Sequence, residues 1–150
     1  MAEEEHTILV VDDEPINLRM VERLLKRKFR VLTATSGKEA LEMLAREDVA
    51  LLISDQVMPG MTGTDLLSQA RQTHPSMVGV LLTSASDNET FRAAIMDSGA
   101  LRVIIKPWDP DKLMRVAESA IERYKGLLQT RQTLDQLKEM QASLKRLSRT

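Results

Sequence analysis

Polar residues stand where four short apolar runs end: Asp12 and Asp13 after 7–11, Asp55 after 51–54, Thr83 after 78–82 and Lys106 after 102–105. Brought together, three carboxylates, a hydroxyl and an amine have a definite chemistry. Crowded carboxylates repel one another, and a hard divalent cation with oxygen ligands relieves that repulsion. Magnesium suits the set, because it keeps several waters and takes one or two carboxylates plus phosphate oxygens. Carboxylates also act as nucleophiles in phosphoryl transfer, where catalysis is mainly positioning and charge neutralisation. Asp55 is the expected nucleophile. Each residue alone has a plainer reading: an Asp ahead of a helix caps it, Asp55 fills a turn, Thr83 bonds nearby backbone, and Lys106 is a solvated amine. The plain readings do not require all four run ends to carry complementary groups.

These residues meet only if the runs are neighbouring strands. Runs of four to six apolar residues separated by helix-like stretches read as buried parallel strands, and such sheets gather ligands beyond the strands' carboxyl ends. The first run, Thr7–Val11, leads into Asp12-Asp13-Glu14-Pro15, where proline suits a first helical turn and the acids suit a helix N-terminus. Leu18, Val21, Leu24 and Leu25 form the stripe of that helix. A strand over 30–35 follows, then Ser36 three residues before Glu39, which predicts a capping box for a helix bearing Ala40, Leu41 and Leu44. A third strand over 50–54 precedes a turn-rich loop, 56–63, and a helix bearing Leu66, Leu67 and Ala70. The fourth strand is expected over 77–82, with a helix from about Asn88 to Ser98 and Gly99 at its C′ position. The fifth covers 102–105. Lys106-Pro107-Trp108-Asp109-Pro110 then turns into a last helix with Leu113, Val116, Ala117, Ala120 and Ile121 on one face. Five βα units of this size predict an α/β fold, a doubly wound five-stranded parallel sheet in flavodoxin-like order 2-1-3-4-5.

A chain of 150 residues suits one domain. Its 21 basic against 22 acidic residues, a formal charge of -1, give no global bias toward nucleic acid or anionic membrane. Without cysteine, neither a disulfide framework nor a thiolate metal site is available. The acidic start of the chain, with Glu3, Glu4 and Glu5, is neither a signal peptide nor a membrane span, and a cytoplasmic location is expected.

Asp12-Asp13, Asp55 with Met58-Pro59 and Gly63, Thr83, and Lys106-Pro107 together resemble the signature of the response-regulator receiver family, over about residues 6 to 125. Receivers are a known instance of the 2-1-3-4-5 order, so that order rests partly on the resemblance. The resemblance implies that Asp55 accepts a phosphoryl group from a histidine kinase or histidine phosphotransfer protein. It also implies that Asp13, Asp55 and the Val57 backbone carbonyl bind Mg2+, that Asp12 assists partly through water, and that Lys106 and Thr83 engage the phosphoryl oxygens. The implied output surface is the fourth helix, fifth strand and fifth helix, including Phe91, Ile95, Met96, Val103 and Trp108. Three positions depart from the commonest receiver pattern. Val103 stands where many receivers have Tyr or Phe, which removes an aromatic switch coupled to Thr83. Val57 and Ala85 put apolar side chains where polar ones often assist dephosphorylation, so slow loss of the phosphoryl group is expected.

Residues 126–150 form a separate segment, without proline and with five basic residues against two acidic ones. The segment is expected to extend the last helix as a linker to an output domain, with Gly126 as a candidate hinge. Leu127, Leu134, Leu137, Met140, Leu144 and Leu147 supply an apolar stripe for a coiled-coil homodimer, although the spacing changes near Leu134 and these six fit no single heptad register. A phosphatase with an aspartyl intermediate is disfavoured, because the Asp-x-Asp expected after the first strand is absent. A phosphorylation-independent scaffold of the same fold is the alternative, yet no acidic or lysine position is lost. Nucleic-acid recognition has no helix-turn-helix to rest on, and the tail is aromatic-free. The Lys106–Asp109 turn and helical tail resemble receivers joined to HD-type cyclic-dinucleotide phosphodiesterases or to sensor kinases.

Overall fold

A computed structural model describes residues 6–84, 97, 99, 100 and 102–149. Their order is β1 (Thr7–Val11), α1 (Pro15–Leu25), β2 (Arg30–Ala34), α2 (Gly37–Leu44), β3 (Leu51–Asp55), α3 (Gly63–Thr73), β4 (Val78–Thr83), β5 (Arg102–Ile105) and α4 (Pro110–Ser148). The expected helix near 88–98 lies almost wholly outside the described residues. So do Ala85, Phe91, Ile95 and Met96.

The strands form one parallel sheet in the order β2-β1-β3-β4-β5. β1 is buried at every residue, as is β3, because both are central and helices cover both faces. Side chains alternate across the sheet. Ile8, Val10, Ile53, Val80, Leu82 and Ile104 face α1 and the first part of α4. Leu9, Val11 and Leu52 face α2 and α3, meeting Ala40, Leu44, Leu66, Leu67 and Ala70. Near-continuous apolar strands are therefore a consequence of two cores, one on each face.

Observed bounds differ from the expected ones by one residue at β2, β3 and β4. The shift matters at β3 and β4, where ladder pairing takes Asp55 and Thr83 into the strands. Helix starts agree with the expected ones at Pro15 and after Ser36, and the difference lies in the caps. Ser36 does cap α2, its Oγ accepting from the Glu39 N–H at 3.1 Å. Glu39 does not return the bond to Ser36; its Oε2 accepts from the Thr35 hydroxyl at 2.9 Å, so the expected box is half made. The reciprocal box belongs to α3, between Thr62 and Asp65. The last helix is 39 residues long, about 58 Å, and runs unbroken through Gly126.

Candidate phosphoryl and metal site

The register brings the candidate residues to one end of the sheet. β1 pairs with β3 so that Val11 lies beside Ser54, and β3 with β4 so that Asp55 lies beside Leu82. Asp12, Asp55 and Thr83 therefore stand at the same end of three adjacent strands. Backbone bonds close this edge: the Gln56 N–H donates to the Leu82 carbonyl at 2.8 Å, and the Lys106 N–H to the Thr83 carbonyl at 2.8 Å. Lys106 is thereby held at the C-terminal end of β5, where a cis peptide bond joins it to Pro107.

Asp12 is 3% exposed and Asp55 8%, whereas Asp13 is exposed. One carboxylate oxygen from each lies within 4.8 Å of the others. Lys106 Nζ sits 2.8 Å from Asp55 Oδ1 and 3.8 Å from Asp12 Oδ2. Asp12 Oδ1 accepts the Glu14 N–H at 2.9 Å, which holds the carboxylate toward the start of α1. Burial pushes the Asp12 carboxyl above its ordinary value of 3.8. The Glu14 N–H and Lys106 oppose that rise, while Asp55 and Asp13 add to it. For Lys106, burial works against the charged form. The hydrogen bond and charge of Asp55, with Asp12 and Glu14, outweigh burial and raise the ammonium above 10.5.

The donor set fits a hard divalent cation: oxygen ligands only, two of them nearly buried and one open to solvent. A carboxylate and an ammonium at 2.8 Å provide, beside it, the charge pairing that an incoming phosphoryl group needs. Thr83 is buried at the end of β4. Val57 is exposed two residues beyond Asp55. Val103 and Trp108 are half-buried, and Trp108 packs against the α1-side core.

Several supports were not anticipated. Gln56 is buried and braces the loop after β3, its Oε1 accepting the Thr64 N–H at 2.9 Å and its Nε2 donating to Thr64 Oγ1 at 3.2 Å. A Cβ on Gly63 would lie 2.6 Å from the Asp55 carbonyl oxygen, so only glycine lets α3 start this close beneath the site. The Thr62-x-x-Asp65 spacing was a readable signal for that start; nothing local marks Gln56. A groove of about 880 Å³ also runs from Ser84 and Lys106 between α1 and the Pro107-Trp108 turn, with Ile16 and Met20 exposed along it.

Residues 8–118 match the response regulator receiver domain family. The chain belongs to that family. Among curated relatives, the hydrogenase transcriptional regulatory protein HoxA of Cupriavidus necator is 37% identical over 122 residues, covering 81% of this chain and 25% of that protein. The two-component response regulator ORR3 of Oryza sativa subsp. indica is 35% identical over 122 residues, 79% of this chain and 93% of that protein. This receiver thus spans a quarter of the length of one relative and nearly all of the other. Among solved structures, the signal receiver domain of an HD domain-containing protein from Pseudomonas fluorescens Pf-5 superposes with a TM-score of 0.78 at 31% identity, covering 82% of this chain and 99% of that one. The receiver fold, the five-stranded order and the assignment to two-component signalling stand together. No helix among the described residues is long and apolar enough to cross a membrane.

Proposed function

We propose that Asp55 is the phosphoacceptor of this receiver and that Asp12, Asp13, Asp55 and the Val57 carbonyl hold Mg2+. The observation that carries the reading is the 2.8 Å pair between Lys106 Nζ and Asp55 Oδ1 inside a three-carboxylate cluster. In the transfer, an Asp55 carboxylate oxygen forms a bond to phosphorus as the N–P bond of a phosphohistidine breaks, and the released imidazole nitrogen keeps the electron pair. The cation supplies neutralisation of phosphoryl charge when bound. Lys106 exchanges part of its pairing with Asp55 for the new phosphoryl oxygens, and the Thr83 hydroxyl follows them. The rearrangement biases an output face formed by Val103 and Trp108 with Phe91 and Ile95, the last two outside the described residues.

The phosphodonor is a histidine kinase or histidine phosphotransfer protein. The groove beside Lys106 supports this, since its exposed Ile16 and Met20 and half-buried Trp108 offer an apolar seat next to the acceptor. Residues 1–125 form the receiver, and 126–150 form a helical linker. Its output is proposed as a separate domain: a transcription-regulating one if the full protein is built like HoxA, an HD-type one if it is built like the P. fluorescens protein. The domain itself acts as a signalling switch. With Val57 exposed and apolar beside Asp55, attacking water receives no side-chain assistance from that position, and the phosphoryl group is retained for longer than seconds.

Intact-mass measurement after incubation with magnesium and acetyl phosphate tests the reading. One phosphoryl mass should be gained with magnesium present and lost in Asp55→Asn. No gain, together with no binding of beryllofluoride, would leave a phosphorylation-independent scaffold.

A further inference from the structure

We infer that residues 129–148 are one strand of a parallel, in-register coiled coil whose partner is a second copy of this chain. The inference goes beyond phosphoacceptor chemistry and does not depend on it. Leu137, Met140, Leu144 and Leu147 are 54%, 63%, 63% and 70% exposed on a continuous helix. Their spacing, 3-4-3, is that of alternating a and d positions, and Thr130 and Thr133 extend the same register toward the domain. The register emerges once Leu127 and Leu134 are placed on flanking e positions rather than in the seam.

Charge follows the same register. Arg131, Asp135, Lys138, Glu139, Lys145 and Arg146 all fall on b, c or f, pointing away from the seam. The e and g positions hold Gln129, Leu134, Gln136, Gln141, Ser143 and Ser148, none of them charged. A helix meant to be solvated all round has no reason to keep every charge off four of its seven positions. A second copy can lie along that strip without desolvating a charge.

The receiver's own body is not the cover. Met140, Leu144 and Leu147 each come 27 residues after Leu113, Ala117 and Ala120, which the sheet buries. That separation is about seven and a half turns, so the exposed stripe faces away from the side on which the domain packs. Two helices can therefore pair along it with their domains on the outside. Without a partner, a stretch of about 20 residues containing several Thr and Ser would be only marginally helical in water. Parallel pairing sets each seam residue against its own copy, Leu on Leu, Met on Met and Thr on Thr. Full-length antiparallel pairing would set Leu147 and Leu144 against Thr130 and Thr133.

Sedimentation equilibrium of the 150-residue chain tests the partner. Wild type and the outward variant Lys138→Glu should dimerise alike, while Leu144→Glu should raise the dimer Kd at least about 100-fold. The same far-UV spectrum and thermal unfolding of the domain in Leu144→Glu would assign its loss to the seam. A wild type that stays monomeric, or a Leu144→Glu protein that dimerises like wild type, overturns the proposal. Direction is read from cysteine pairing, which the cysteine-free chain permits. Leu147→Cys should form an intermolecular disulfide on mild oxidation and Arg146→Cys should not; a dimer in which Leu147→Cys fails to cross-link overturns the parallel arrangement.

Discussion

The last helix serves two regions with opposite surroundings. Over its first turns Leu113, Val116, Ala117, Ala120 and Ile121 are buried against β-strands and α1; from Leu134 onward the apolar residues are more than half exposed. Both stretches have helical apolar spacing. The difference is what lies opposite: the first stretch is stabilised by its own sheet, whereas the second has an apolar face that the chain leaves bare. Amphipathic spacing therefore identifies a face to be covered without saying which molecule covers it.

Substitutions in the two stretches sharpen that contrast. Leu113→Ala removes a fully buried side chain and should destabilise the domain by about 2–5 kcal/mol, read by urea unfolding. If the loss were below about 1 kcal/mol, the first stretch would not be the core contact described. Gly63→Ala pushes a methyl toward the Asp55 carbonyl and should destabilise by about 1–3 kcal/mol, with the loss centred on the loop beneath the site. Gly126→Ala lies at the junction, with open space around the added methyl, and should stabilise the helix by up to about 1 kcal/mol, seen as slower amide exchange beyond residue 126. Leu144→Ala should change unfolding of the domain itself by less than about 0.5 kcal/mol when the chain is monomeric.

The site contributes a smaller, pH-dependent effect. The Asp12 carboxyl is raised by burial, so the folded protein holds that proton longer than the unfolded chain does. The metal-free protein should lose stability as pH rises from 3.8 through the folded value, then level off. Asp12→Asn removes that slope, and at neutral pH its metal-free Tm should exceed that of wild type. Measured with a chelator present, an equal or lower Tm for Asp12→Asn would mean that its pairing with Lys106 outweighs burial. Lys106 slopes the same way at higher pH: its raised value contributes stability that is fully present below pH 10.5 and is lost as pH climbs through the folded value.

Much of the molecule was readable in the chain because burial on both faces writes apolar runs directly into β1, β3 and β4. Asp12, Asp13, Asp55 and Lys106 were readable for a related reason: polar residues ending such runs are conspicuous. The capping box was assigned to Ser36–Glu39 when the full reciprocal box is Thr62–Asp65, since spacing permits a cap but side-chain rotamers decide which bonds form. Gln56 was missed because a lone glutamine carries no local sign that it will brace Thr64.

By itself, then, the sequence determined the alternation of strands and helices, the chemical inventory at the strand ends and the apolar stripe of the tail, because all three depend on local residue type and spacing. Tertiary structure decided the rest. The 2.8 Å approach of Lys106 to Asp55, the raised Asp12 carboxyl and the bracing by Gln56 arise from residues on different strands and loops meeting in a low-dielectric crevice. The direction in which the tail's stripe faces was likewise set by an unbroken helix, whose rotation carries that stripe about half a turn away from the buried side.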